Sequence, residues 1–341
     1  MKECIQIAFG LYDKNGDYTR YIATTIVSIL ENTKHDVCIH ILHDKSIDSD
    51  KKNFLLSIVE KYKQSIKFYL VSVDKILLNF NKNIGTFFRL YIFEKCNVDK
   101  IIYLDGDVLI TNDIYKLWET NIEDYYCAVV RDIKETREII INTRYYHKIN
   151  INYNNYFNAG VIYFNCEKIR NSFDVKKELV KFFEKNKYVS MFDQDFLNYL
   201  LQERLMILNK KFNFIANNVN NITDNDLNEN VIIHFAGPFK PWNCNNEKVI
   251  YYYYKYFLKI FSKDNIDEFC RYMSYLPKSN FKRMGLKHAL LEYKKENSIF
   301  LSISCILKGI LSDRYFCKLA YYVIKYIKIR FLYNIYYVLK K

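Results

Sequence analysis

The stretch Lys100-Ile101-Ile102-Tyr103-Leu104-Asp105-Gly106-Asp107-Val108-Leu109 is an apolar strand that runs into two carboxylates separated by a single glycine. Ionised carboxylates between buried runs are costly unless a cation balances them. Asp-x-Asp alone is a weak signal, because the chain holds four: Asp48/Asp50, Asp105/Asp107, Asp193/Asp195 and Asp224/Asp226. Only the second is wedged between strongly apolar segments. Upstream, the pattern predicts strands over Ile5–Gly10, Val37–Leu42 and Ile66–Val71, alternating with helices over Tyr18–Glu31 and Asp48–Lys61. That alternation predicts an α/β fold around a nucleotide-binding parallel sheet. A helix is expected around Gly85–Phe93, a loop or lid over Asn142–Asn158, and irregular chain over the Asn-rich Asn213–Asn230. Ligands of such sheets sit beyond the carboxyl ends of the strands, where Asp105 and Asp107 fall.

Downstream lies His234-Phe235-Ala236-Gly237-Pro238-Phe239-Lys240-Pro241-Trp242, preceded by the apolar run Val231-Ile232-Ile233. An imidazole thus leaves a strand end just before a glycine that lets backbone approach a ligand closely. A cation follows, with prolines and a tryptophan to stiffen the loop. Two carboxylates and an imidazole suit Mn²⁺. An all-oxygen set would fit Mg²⁺ equally, and the nitrogen tilts the choice toward the borderline metal. The plain alternatives are a turn with two solvated aspartates and a polar hairpin loop.

Taken together, these blocks resemble glycosyltransferase family 8, the retaining GT-A group that includes lipopolysaccharide galactosyl- and glucosyltransferases and glycogenin. The resemblance runs through Ile5–Leu30, Thr86-Phe87-Phe88-Arg89-Leu90, Tyr103–Leu109, Phe157-Asn158-Ala159-Gly160-Val161, Asp193–Asn198 and the His234–Trp242 loop. It implies a Rossmann-like mixed sheet flanked by helices over 1–260, with a basic helical extension over 261–341 that has no counterpart. It also implies Asp105, Asp107 and His234 as Mn²⁺ ligands, and Gly237 and Lys240 on the diphosphate of a UDP-sugar donor. Arg89, Asp132, Asn158, Asp193 and Gln194 match positions that contact the donor sugar, with Gln194 nearest the free face of the reacting carbon. Ala8, Gly106 and Ala159 fall in the matching donor-site blocks. The first loop, Tyr12–Tyr18, is longer than the family's. Asp17 and Tyr18 align most naturally there, with Tyr18 stacked on the uracil, while Asp13 is the alternative base contact. An amide is a poor nucleophile, so same-face displacement is expected rather than a covalent intermediate. Asp195 is read as a first-turn helix acid, with backup nucleophile as the alternative.

Composition narrows the setting. Nine cysteines without a C-x-x-C pair predict free thiols in a reducing compartment. Met1-Lys2-Glu3-Cys4 leads straight into the first strand pattern, so a cytoplasmic location is expected. The net charge of +13 is uneven: Phe281–Lys341 carries thirteen Lys/Arg against three acids, a surplus of ten that leaves +3 for the rest. A basic tail on a near-neutral body points to an anionic surface and away from nucleic acid. Lys325, Lys328 and Arg330 interrupt the apolar run 319–339, which argues for an in-plane amphipathic helix and against a membrane span. An ordinary packed helix is the alternative.

The expected activity is transfer of a hexose from UDP to a glycan or glycolipid acceptor at the inner face of the cytoplasmic membrane. Competing readings are a self-glycosylating glycogenin-like protein, a UDP-sugar hydrolase, an RNA-binding basic protein and an inactive membrane adaptor. The donated hexose and the acceptor depend on pocket shape, which no motif reveals.

Overall fold

The computed structural model describes residues 4–260 apart from 15, 81, 82, 134–144, 146, 147, 188, 217, 237, 239, 243 and 245. The basic 261–341 region, the amphipathic helix expected over 319–339 and Gly237 therefore lie outside the described residues.

The expected alternation is present. Strands β1 (Ile5–Leu11), β2 (Val37–His43) and β3 (Ser65–Leu70) are linked by helices α1 (Tyr18–Asn32) and α2 (Ser49–Lys61). Strand β4 (Lys100–Leu104) pairs parallel to β1, with Ala8 opposite Tyr103. The sheet continues through β6 (Cys127–Arg131), β7 (Phe157–Asn165) and β8 (Leu205–Ile207) in the order β3-β2-β1-β4-β7-β6-β8. Strand β7 runs antiparallel to both of its neighbours, so the sheet is mixed. A smaller sheet joins β5 (Val108–Ile110), β10 (Ile232–His234) and β9 (Phe214–Ile215) in the order β5-β10-β9.

Local chemistry explains these elements. Strands β2 and β7 are buried along their whole length, as expected for strands covered on both faces. Helix α1 buries Ile22, Ala23, Ile26, Val27, Ile29 and Leu30 at helical spacing. Helices α3 (Val175–Lys185) and α4 (Phe192–Leu201) add aromatic faces, where Phe183 meets Phe87 edge to face at 6.2 Å. Helix α5 (Glu247–Phe257) starts at Asn246, whose side chain accepts from the N–H groups of Lys248 and Val249.

Two expectations are corrected. Asn142–Asn158 is not all loop, because β7 begins at Phe157 and pairs with Arg131 there. Asn213–Asn230 is not irregular throughout: β9 occupies Phe214–Ile215, and a helix spans Asp224–Glu229. That helix has a capping box between Thr223 and Asp226. The polar residues that suggested a loop are serving as caps. The Gly85–Phe93 helix is present as a 3-10 segment, Ile84–Tyr91, running into an α-turn, Ile92–Lys95.

Candidate active site

Two strand ends meet at the carboxylate turn. Asp105 follows β4 directly, and its N–H donates to the Gly160 carbonyl of β7 at 2.8 Å. Antiparallel pairing of β5 with β10 sets His234 opposite Val108, and the Phe235 N–H donates to the Asp107 carbonyl at 3.0 Å. His234 Nε2 consequently lies 3.4 Å from Asp107 Oδ1 and 4.0 Å from Asp105 Oδ2. One donor atom from each of the three residues falls within 4.8 Å of the others.

Each carboxylate has its other oxygen engaged by a cation. Asp105 Oδ1 accepts from Arg89 Nη2 at 2.7 Å and from the Tyr103 hydroxyl at 2.9 Å. Asp107 Oδ2 lies 2.6 Å from Lys240 Nζ. Asp107 Oδ1 is buried with no hydrogen-bond partner. Burial pushes the Asp107 pKa up, but His234 and Lys240 outweigh it and hold the group well below the usual carboxylate range. An ionised, orphaned buried oxygen beside an imidazole is expensive unless a ligand completes it. The set of two carboxylates and one imidazole fits a divalent cation. The other three Asp-x-Asp pairs are helix-start acids: Asp48 caps α2, Asp193/Asp195 open α4, and Asp224/Asp226 open the Asp224–Glu229 helix.

Arg89 is buried and joins the metal-capable set to α4. Its Nε lies 3.0 Å from Asp193 Oδ2, its Nη1 donates to the Ala159 carbonyl, and its guanidinium sits 4.5 Å from the Tyr103 ring centre. Burial raises the Asp193 pKa to about 6, with Arg89 opposing the rise. Gln194 Nε2 donates to Asp132 Oδ2 at 2.9 Å and to the Tyr156 hydroxyl at 3.1 Å. Its Oε1 accepts from the Ala159 N–H at 2.9 Å. Both backbone polar groups of Ala159 are thus committed within the protein. Asn158 Oδ1 accepts from the Gly160 N–H and from Asn213 Nδ2, both at 3.0 Å. Asp195 is fully buried, accepting from the hydroxyls of Tyr145 and Tyr156 and from the Met191 N–H.

A cavity of about 210 Å³ opens beside the turn, with Gly10, Tyr12, Tyr18, Arg89, Asp105 and Asp107 among its walls. Tyr18 packs under Gly106, where an added Cβ would meet the Tyr18 hydroxyl at 3.0 Å and Ile22 Cγ1 at 2.8 Å. Asp13 closes its own loop, accepting from the N–H groups of Gly16 and Thr19 and from the Thr19 hydroxyl. Asp17 is exposed and its side chain caps nothing. Ala8 is fully buried in the apolar core, and Gly10, two residues on, reaches the cavity wall. Lys240 is held over Asp107 by a loop whose Trp242 stacks on Tyr21 of α1, ring centres 3.7 Å apart.

Sequence reasoning did not assign roles to Asn213, Gly160 or Tyr156. Asn213 is buried, and its Oδ1 lies 3.1 Å from His234 Nδ1. A Cβ on Gly160 would fall 2.2 Å from His234 Cε1 and 2.9 Å from Asp105 Oδ2. A lone asparagine between Phe212 and Phe214 was the available signal, obscured by the Asn-rich context.

Comparison with known proteins matches residues 9–246 to the model of Glycosyl transferase family 8. Lipopolysaccharide 1,2-glucosyltransferase of Escherichia coli K12 is 24% identical over 255 residues, covering 71% of this chain and 73% of that protein. Lipopolysaccharide 1,3-galactosyltransferase of Salmonella typhimurium is 28% identical over 253 residues, covering 70% and 72%. Among solved structures, the galactosyltransferase LgtC, in complex with donor and acceptor sugar analogues, matches with a TM-score of 0.60 at 24% identity. That match covers 73% of this chain and 95% of LgtC, and the shared architecture is the GT-A fold.

Proposed function

The chain belongs to glycosyltransferase family 8, and we propose that it is a metal-dependent retaining hexosyltransferase that uses a UDP-sugar to extend a cell-surface glycan. Lipopolysaccharide, capsule or a glycolipid precursor is the acceptor class. The observation that carries this reading is the convergence of Asp105, Asp107 and His234 between Arg89 and Lys240. Asp105 Oδ2, Asp107 Oδ1 and His234 Nε2 would hold the ion, with Mn²⁺ favoured by the nitrogen donor and Mg²⁺ the alternative. When bound, such an ion would supply Lewis-acid stabilisation of the diphosphate leaving group.

The chain's own residues supply the rest. Arg89 and Lys240 face Asp105, Asp107 and Asp193, two cations against three carboxylates. A dication added there makes the site net positive and suited to a diphosphate. Lys240 can exchange its Asp107 contact for a phosphate oxygen and steady the leaving group. Arg89 fixes Asp193 against the donor wall, where carboxylate and guanidinium hold sugar hydroxyls. Both N–H groups and the carbonyl of Gln194 are committed, so it serves as a fixed floor beneath the sugar. Asp195 has both oxygens taken by tyrosine hydroxyls, a poor state for attack on a sugar. These commitments favour same-face displacement, in which a departing diphosphate oxygen takes the acceptor proton. The basic C-terminal region would bring the enzyme to anionic lipid at the inner membrane face.

The test is a panel of sugar nucleotides assayed for Mn²⁺-stimulated UDP release with and without glycan acceptor, followed by NMR of the linkage. An α-linked product from an α-linked donor is expected. A β-linkage would overturn the retaining assignment, and release indifferent to acceptor would favour hydrolysis or self-glycosylation.

A further inference from the structure

We propose that Asn213 is a positioning residue that fixes the tautomer of His234, and with it the direction of the lone pair offered to the metal. The inference rests on the metal-dependent reading above. Its premise is a chain of hydrogen bonds whose polarity is set at one end by a backbone group. The Gly160 N–H can only donate, and it points at Asn158 Oδ1 at 3.0 Å. That fixes the Asn158 amide with its oxygen toward Gly160. The same oxygen receives Asn213 at 3.0 Å, so the Asn213 atom there must be the donor, Nδ2. The remaining amide atom, Oδ1, then faces His234 Nδ1 at 3.1 Å. A carbonyl oxygen only accepts, so Nδ1 carries the proton, and in the neutral imidazole that a metal requires Nε2 is left with the lone pair. Nε2 is the ring atom that faces Asp105 Oδ2 and Asp107 Oδ1.

The supporting geometry is tight. Asn158, Asn213 and His234 are all buried, so water does not readily substitute for a lost partner. The imidazole also lies on Gly160, where any Cβ would overlap Cε1. Gly160 therefore sets the ring's seat by lacking a side chain and its tautomer by presenting an N–H. A ligand imidazole whose second nitrogen is held by a hydrogen-bond acceptor keeps its orientation and basicity, and loss of such a partner typically weakens metal binding about 10–100-fold.

Long-range proton–nitrogen NMR of the metal-free protein reads the tautomer directly, with His234→Gln used to assign the signal. The expected result, read at a pH where the ring is neutral, is protonation of His234 at Nδ1. Mn²⁺ titration of the full chain gives the second readout. Asn213→Leu, similar in size but unable to accept, should mix the tautomers and weaken Mn²⁺ binding by about 10–100-fold. Asn213→Asp keeps the acceptor toward Nδ1 and loses only the donor toward Asn158 Oδ1, so it should lose less affinity than Asn213→Leu. Wild-type His234 protonated at Nε2 overturns the proposal even if the leucine variant does not fold. So does equal loss in the aspartate and leucine variants, which would mark a packing role. Undiminished Mn²⁺ binding in Asp105→Ala would instead remove the metal assignment itself, leaving the tautomer result to stand or fall separately.

Discussion

The Trp242 indole lies flat on the Tyr21 ring, with centres 3.7 Å apart and planes 7° from parallel. This stack ties the loop after β10 to helix α1, and Trp242 also leans on Tyr253 of α5 at 5.7 Å. Lys240 is two residues from that anchor and reaches back to Asp107. Trp242→Ala should free the loop and raise the donor KM several-fold more than it lowers kcat. Direct stacking of this kind contributes about 0.5–1.5 kcal/mol beyond the buried area, so a modest fall in thermal stability should accompany it. Donor titration at fixed acceptor separates the two parameters. A pure kcat loss would mean that the stack does not serve donor binding.

Gly160→Ala should be far worse than its size suggests. The new methyl would have to displace the His234 ring and the Asp105 carboxylate, since approaches of 2.2 and 2.9 Å cannot be tolerated. Overpacking of a dense site costs roughly 1–3 kcal/mol, and here the ring that moves belongs to the proposed metal-binding set. Mn²⁺ affinity by calorimetry should drop at least tenfold while urea unfolding stays cooperative. Unchanged affinity would show that the backbone yields instead of the imidazole.

Asp105→Ala, Asp107→Ala and His234→Ala should each abolish transfer without unfolding the protein. They are expected to differ in the metal-free state. Asp105→Ala strips the buried Arg89 of one of its two carboxylate partners, whereas His234→Ala breaks only the contact to Asn213 and the approach to the carboxylates. Thermal melts without metal should therefore rank Asp105→Ala as the least stable of the three. Calorimetric titration of Mn²⁺ in the presence of UDP checks the binding half of the prediction, where wild-type affinity in all three would remove the ligand assignment.

The sequence made the alternating half of the fold legible because strands β1 to β4 and helices α1 and α2 are local patterns. Periodicity of apolar residues does not depend on distant partners. Asp105, Asp107 and His234 could be singled out because polar ligands at the ends of apolar strands violate the burial pattern. Asn213 and Tyr156 stayed hidden because their partners come from elsewhere in the chain, and no local pattern encodes a hydrogen bond between Asn213 and His234. Pairing with both β2 and β4 buries Ala8, and Gly10 and Tyr12 line the cavity beyond it. Asn-rich segments were read as loops because capping residues and loop residues are the same residue types.

Acid should unsettle the sheet through His40. It is fully buried in β2, with Nε2 at 2.8 Å from Gln6 Oε1 and Nδ1 at 3.0 Å from the Tyr69 hydroxyl. Burial, assisted by Lys67, depresses its pKa from 6.5 to about 4. The unfolded chain therefore takes up this proton first as the solution is acidified. The contribution of His40 is complete above pH 6.5 and is lost as pH falls toward 4, amounting to about 3 kcal/mol at most. His40→Gln should flatten the decline in urea midpoint over that window. An equally steep decline in the variant would place the acid sensitivity on other groups.

The strand that delivers His234 enters its sheet between β5 and β9, long after Asp105 and Asp107 have been synthesised. At about 5–20 residues per second, translation leaves an interval on the order of ten seconds in which the carboxylates exist without their imidazole. A nascent chain can fold its parallel strands during that interval while its donor set is still incomplete. Polypeptides released before β10 would lack His234 and with it the imidazole of the proposed metal-binding set.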